Sequence, residues 1–206
     1  MNFNLPKSTL LNKFIPKSIF FAKAVVNSKL KADFTDKIQK ITWKYKISEE
    51  TLWINKSDKI QEIEIFEINL KEKIIPKNVL KVIDKTIPYP ILYIFTYEND
   101  YSYWITLKWE KLWNYYFSDW NENIEFEFNW IDIEKVFEDI IKKFLKNVDT
   151  DDKKFDEIIE TDNARIFLEK EIEKLKNKIK KEKQFNKKVE LNKLLLEQKS
   201  KLEQLT

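Results

Sequence analysis

The sequence predicts an α+β fold in which a mixed sheet precedes a C-terminal helical arm. Apolar and polar residues alternate over 41–47, which is typical of a half-buried strand. A strand, a helix and a second strand follow one another over 60–97, which predicts a parallel βαβ unit. Leucine and isoleucine recur at coiled-coil spacing from Leu168 onward, which predicts helix in the last part of the chain.

The N-terminal segment is predicted to form three short helices. Leu10, Leu11, Phe14 and Ile15 recur at helical spacing until Pro16 interrupts the pattern. A second short helix follows this proline, and a third begins at a serine cap and ends where the strand pattern starts. The N-terminal helices are therefore expected to lead directly into the sheet.

The sheet is predicted from a series of strands and two helices. The strand over 60–71 changes phase near Ile65, which indicates either a bulge or a central strand buried on both faces. Pro76 begins the crossover helix of the βαβ unit, and Asn99 is the residue expected to take left-handed backbone in the following turn. The remaining predicted elements are strands over 51–55, 91–97, 101–109, 112–117 and 124–130, the last four forming an antiparallel meander, and a helix over 133–148.

Residues 1–150 are predicted to form the globular domain and residues 151–206 the helical, coiled-coil arm. The spacing of the arm's apolar residues predicts a seam that needs a partner helix, because each half of the seam is short. A continuous helix is favoured because no glycine or proline breaks the pattern, and a hairpin turning near Asn186 is the alternative. The predicted partner-binding residues are Leu168, Ile172, Leu175, Ile179, Leu191, Leu195 and Leu202.

The chain contains no glycine, no histidine and no cysteine. These absences exclude a histidine acid or base, a cysteine nucleophile and the usual zinc ligands. They also exclude the glycine-rich phosphate loops of nucleotide-binding enzymes. We therefore expect a role that is not catalytic, with no catalytic residue, metal or cofactor.

The charges are distributed unevenly. Residues 1–46 and 169–206 are basic, whereas the middle of the chain is acidic. The basic arm could follow a phosphate backbone, although a solvated helix face is the ordinary interpretation of such lysines. The candidate nucleic-acid-binding residues are Lys174, Lys178, Lys181, Lys187 and Lys188.

A metal-dependent nuclease subunit is the alternative function. Such enzymes hold Mg²⁺ with carboxylates on a core strand and place a lysine nearby. Glu62, Glu64, Glu67 and Lys71 supply these residue types on the strand that opens the βαβ unit. The spacing departs from a restriction-nuclease site because Asn69 occupies the position of the lysine, so this site would be degenerate.

Several segments of the chain resemble one uncharacterised bacterial family. They are the stretches 5–9, 34–47, 65–68 and 87–94, together with the tail 181–192. The sequence resembles the numbered domain-of-unknown-function family 4391, whose members tend to be encoded beside SNF2-type helicases and DNA methyltransferases. This resemblance implies a restriction-like or anti-phage DNA system, and it transfers no catalytic residue.

We expect an accessory subunit that docks onto a helicase or methyltransferase partner and contacts DNA. A homodimer through the C-terminal helix is the other interaction that the seam predicts. No segment has the apolar length of a signal peptide or a membrane span, so a cytoplasmic location without membrane contact is expected.

Overall fold

The computed structural model describes residues 5–24, 26–109, 112–126, 132–146 and 148–205. The chain divides into two compact units, Met1–Phe144 and Leu145–Thr206. The first unit carries the sheet and the second carries the helical arm. The division lies at Phe144, whereas the sequence predicted a domain boundary after residue 150.

The first unit is built on one six-stranded sheet, counted over the described residues, with its strands in chain order. The strands are β1 (Leu10–Phe14), β2 (Ile38–Ser48), β3 (Glu62–Leu70), β4 (Ile91–Tyr97), β5 (Asp100–Trp109) and β6 (Leu112–Phe117). β3 and β4 are parallel, and every other neighbouring pair is antiparallel. This confirms the predicted α+β class, the βαβ unit and the first three strands of the predicted antiparallel meander.

Short helices cover the sheet, and two long helices form the arm. The helices of the first unit are α1 (Ser18–Lys23), α2 (Ser28–Lys37), α3 (Glu49–Leu52), α4 (Lys77–Thr86) and α5 (Ile133–Lys142), and those of the arm are α6 (Phe155–Lys181) and α7 (Phe185–Glu203). One 3-10 turn, Lys7–Thr9, precedes β1. The arm is therefore a pair of helices rather than the continuous helix that the sequence favoured.

The prediction of helix over residues 10–15 is wrong. This segment forms β1, an edge strand that pairs antiparallel with β2. Pro6 and Pro16 bracket the segment and leave too little room for a stable isolated helix. Hydrogen bonds to β2 therefore decide its structure against the helical spacing of its leucines.

The predicted strand over 51–55 is also wrong. Thr51 lies in the short helix α3, where its hydroxyl accepts a hydrogen bond from the Ser48 amide at 3.0 Å. Trp53 then takes left-handed backbone with φ 57° and closes the helix. In the predicted strand over 124–130, residues 124–126 carry no strand, and residues 127–130 lie outside the described residues.

β3 is a central strand that is buried on both faces, which explains its change of phase. Phe66 and Ile68 join the core that α1, α2 and α4 cover, whereas Ile63 and Ile65 are buried on the opposite side. The irregularities of this pair lie in β2, where Gln39 and Lys44 are each an extra residue between paired positions. The two faces of β3 thus present different chemistry.

The β4–β5 turn uses Glu98, not Asn99, for its left-handed residue, with φ 52°. A side chain with a Cβ costs about 1–2 kcal/mol in this conformation. Because the chain has no glycine, this cost is retained at a solvent-exposed turn.

Glu98→Gly is expected to raise the free energy of unfolding by roughly 1 kcal/mol. Glycine removes the steric cost of the left-handed backbone, and this gain is larger than the stabilisation that its extra flexibility gives the unfolded chain. Urea denaturation measures the change. Asn99→Gly is the matched control, because Asn99 is not among the residues with positive φ and glycine there adds only entropy to the unfolded chain. An equal effect of both variants would contradict the explanation.

Candidate functional site

The acidic residues of β3 lie on two different faces of the sheet. Glu62 pairs with Lys46 at 2.8 Å, and Glu64 lies on the same side of the strand among apolar residues. Glu67 is on the other face, where it pairs with Lys44. Lys71 lies beyond the end of β3 and is exposed. The structure therefore does not bring the four candidate nuclease residues together.

A pocket of about 330 Å³ lies where α1, β2 and β3 meet the segment that joins α4 to β4. We call it the Glu64 pocket. Its lining residues are Ile15, Ile19, Phe20, Lys23, Trp43, Glu62, Glu64, Phe66, Thr86, Ile87, Pro88 and Tyr89. Such a mostly apolar hollow with a few polar groups is the usual form of a small-molecule site.

Glu64 is the buried acid of this pocket, with 4% of its surface exposed. The indole N–H of Trp43 donates a hydrogen bond to its Oε2 at 2.5 Å. Burial raises the pKa of the Glu64 carboxyl from its ordinary value of 4.5 to about 7, against the lowering effect of this hydrogen bond. The neighbouring Glu62 carboxyl raises the pKa further, and Lys46 lowers it. Glu64 can therefore change charge near neutral pH.

A second buried polar centre surrounds Asp84, a residue of α4 that is 2% exposed. Three hydroxyl groups donate hydrogen bonds to its carboxylate, from Tyr93 at 3.0 Å, Thr106 at 3.1 Å and Tyr115 at 2.7 Å. Burial and the Asp84 charge raise the pKa of both tyrosines, so they remain protonated donors.

Lys108 of β5 completes this centre. Its ammonium lies 3.4 Å from Asp84 Oδ1 and donates hydrogen bonds to the carbonyl oxygens of Asp84, Ile87 and Tyr89 at 3.0, 2.7 and 2.7 Å. Burial lowers the pKa of the Lys108 ammonium, and Asp84 opposes that shift. Lys108 thereby caps the C-terminus of α4 and fixes the segment that walls the Glu64 pocket.

Sequence reasoning missed the Asp84 centre, although two signals were present. Asp84 is four residues after Leu80 and directly follows Ile83, so a carboxylate occupies a core position of an amphipathic helix. Lys108 is four residues after Trp104 in a strand, so both lie on the face that is buried under α4. A charge at each of two core positions predicts a buried pair.

The predicted seam lies between the two helices of the arm. α6 and α7 pack against each other as a hairpin across the short link 182–184. Ile172 is buried, and the other six predicted partner-binding residues are half-buried, while most positions between them are exposed. The seam residues of each arm helix therefore pack against the other arm helix.

α7 carries a second group of apolar residues outside its seam. Phe185, Val189 and Leu196 are 77%, 52% and 66% exposed, and at 3.6 residues per turn they fall on one side of the helix. We call these three residues the outer stripe. No described residue of α7 is buried. The outer stripe is thus an apolar surface without cover from the described parts of the chain.

The five candidate nucleic-acid-binding lysines lie in different environments. Lys178, Lys181 and Lys187 line an open hollow at the turn of the hairpin together with Glu182 and Glu190. Lys174 pairs with Glu171 at 2.6 Å instead. Lys188 is half-buried. The lysines of the hollow are therefore mixed with carboxylates, which reduces the local positive charge.

Across the described ranges, no group of three or more acidic, histidine or cysteine side chains is arranged to hold a metal ion. None of the described helices combines the length and apolarity that a membrane span requires. The fold and its surfaces define an α+β protein with one mixed sheet and a helical hairpin.

The chain belongs to the family described as domain of unknown function DUF4391, whose family model matches residues 3–202. This confirms the family resemblance that the sequence motifs indicate. No curated protein and no solved structure matches the chain.

Proposed function

We propose that this protein is a non-catalytic accessory subunit that binds a protein partner through α7. The observation that carries the proposal is the outer stripe, three large apolar side chains that are exposed on a helix whose seam already packs on α6. Contiguous exposed apolar surface of this kind marks interaction sites. An amphipathic helix that lays such a face into a groove is a common mode of protein recognition.

The charges beside the outer stripe define the partner's chemistry. Lys193 and Lys199 lie on either side of the stripe by helical spacing, and Glu203 continues its line near the end of α7. All three side chains are exposed. A matching surface is an apolar groove with an acidic rim, because complementary charge guides association and orients the partner. The proposed partner is therefore a protein with such a groove rather than nucleic acid.

The family resemblance supports a partner from a DNA-processing system. Relatives of this kind tend to be encoded beside an SNF2-type helicase and a DNA methyltransferase, and either enzyme is the proposed partner. The subunit would contribute contact surface while the partner performs the chemistry. DNA contact would come from the lysines of the hairpin turn within that assembly.

The separated acids of β3 weaken the case for the alternative, a Mg²⁺-dependent nuclease subunit. A two-carboxylate metal site needs its oxygens on one side of the strand. Glu62 and Glu64 share one face, but Glu62 pairs with Lys46. Glu64 accepts the hydrogen bond from Trp43, and Glu67 lies on the opposite face, paired with Lys44. The geometry thus favours the accessory role over the nuclease.

Replacing the outer stripe with serines (Phe185→Ser, Val189→Ser and Leu196→Ser together) is expected to abolish co-purification with the co-expressed helicase or methyltransferase. Loss of three apolar anchors weakens binding by about a hundredfold or more. Size-exclusion chromatography and calorimetry on the purified pair measure the loss. The far-UV circular dichroism should be unchanged, since the three side chains are exposed.

The control variant carries Phe14→Ser and Ile74→Ser, which remove exposed apolar surface from the first unit. It should retain the partner. A native chain that remains alone when co-expressed with both enzymes would refute the proposal, as would binding that survives loss of the outer stripe. Association with DNA alone that weakens steeply with salt would favour a nucleic-acid-binding role instead.

A further inference from the structure

The Glu64 pocket combines a buried carboxyl with aromatic walls. Phe20, Trp43, Phe66 and Tyr89 contribute rings to its lining, and Glu64 provides the acid. The pocket's volume of about 330 Å³ lies at the small end of the range for ligand sites. Its shape therefore suits a compact ligand with an apolar body.

Within the described residues, the Glu64 carboxyl has no ion-pair partner. The nearby Lys46 pairs instead with Glu62 at 2.8 Å, and the hydrogen bond from Trp43 comes from a neutral donor. A carboxylate in such apolar surroundings gains most from a cation that enters the pocket. Among the described residues, no cation pairs directly with Glu64, and Lys46 acts on it only through its charge at longer range.

The aromatic residues that line the pocket beside this acid favour the same kind of ligand. An ammonium group is attracted to aromatic faces, and cages of aromatic rings with an acid nearby bind quaternary and alkylated ammonium ions. An anion is disfavoured because Glu62 and Glu64 both line the pocket. Lys23 lies on the exposed rim, where solvent screens its charge.

We propose that the Glu64 pocket binds an alkylammonium group carried on a small apolar body. The ammonium lies against the Glu64 carboxylate, and the apolar body packs against the aromatic walls. The segment that Lys108 holds through the Ile87 and Tyr89 carbonyls forms one wall, so the pocket exists before the ligand enters. The ammonium could belong to a free amine or to a lysine side chain of a peptide.

The test uses the full chain and phenethylammonium at about pH 8, where the Glu64 carboxyl is ionised. Binding is followed through the indole N–H resonance of Trp43, which is assigned among the 7 tryptophans by its absence in Trp43→Phe. We expect saturable shifts of this resonance. Phenylethanol, the neutral match, should bind at least about tenfold more weakly.

Glu64→Gln should weaken phenethylammonium binding by at least about tenfold, while Glu72→Gln, an exposed carboxyl beyond β3, should leave the affinity unchanged. A carboxyl carbon titration of the native chain gives an independent readout, because bound ammonium should lower the pKa of Glu64. N-acetyl-lysine methylamide is the second probe, and the tighter of the two ligands identifies the source of the ammonium.

Equal binding of phenylethanol and phenethylammonium would overturn the proposal. An unchanged affinity in Glu64→Gln, or no shift of the Trp43 resonance with either ammonium probe, would do the same. These outcomes do not depend on the partner, because the outer stripe and the Glu64 pocket share no residue.

Discussion

Lys108→Met is expected to lower the free energy of unfolding by about 3–5 kcal/mol, the usual cost of removing one partner from a buried ion pair. The substitution leaves the Asp84 carboxylate buried without its cation, while its three hydroxyl donors remain. It also removes the donor from the carbonyl oxygens of Asp84, Ile87 and Tyr89. Urea denaturation followed by circular dichroism measures the loss.

Lys135→Met is the matched control, because its pairs with Glu138 and Asp139 are partly exposed. We expect a change of at most about 1 kcal/mol there. Lys108→Met combined with Asp84→Leu should recover part of the lost stability, since it removes the unpaired charge. A cost for Lys108→Met as small as that of the control would show that the pair contributes little.

Glu64→Gln is expected to stabilise the protein at about pH 8 by up to about 3 kcal/mol and to change stability little near pH 4. The pKa of Glu64 is about 7 in the folded chain and 4.5 as its ordinary value. Between these values the folded state binds the proton more tightly, so the free energy of unfolding falls as pH rises and levels off above about 7. Glutamine stays neutral and keeps an acceptor for the Trp43 indole.

The measurement is the difference in free energy of unfolding between Glu64→Gln and the native chain across this pH range. Groups remote from Glu64 titrate alike in both chains, so their contributions cancel in the difference. Trp43→Phe is the companion variant, because it removes the donor that lowers the pKa of Glu64 and should move the transition to higher pH. A difference that does not vary with pH would contradict the burial of this acid.

Most of the sheet could be predicted because its signals are local. The apolar run of β4 and the proline before α4 identify the βαβ unit from the sequence alone, and a short turn joins β4 to β5. β1 could not be predicted, since its structure depends on hydrogen bonds to a strand far along the chain. The helical spacing of the apolar residues in β1 is therefore coincidental, because the segment forms an edge strand.

The hairpin of the arm shows a different limit. The apolar residues before and after 182–184 follow two different registers. This pattern is compatible either with one continuous helix or with two helices. No glycine or proline ends α6; instead, the Glu182 side chain accepts hydrogen bonds from the backbone amides of Lys183 and Gln184 at 2.8 and 2.9 Å. Side-chain capping of this kind has no firm sequence signature, so the break could not be read from composition.

The sequence did not predict the Glu64 pocket. Glu64 attracted attention as an acid on a core strand, but its neighbours come from α1, β2 and the segment after α4, which only the folded chain brings together. Its raised pKa likewise depends on burial, which a single strand pattern cannot supply. The sequence named the acid, and the tertiary structure determines its environment.

A polypeptide without glycine also has a restricted denatured ensemble. Each of the five described positive-φ positions, among them Trp53 and Glu98, belongs to a residue whose Cβ narrows the conformations open to the disordered chain. Less backbone freedom is lost when these positions become ordered, and this gain offsets part of their steric cost in the folded chain. The absence of glycine thus affects the free energy of both the folded and the unfolded state.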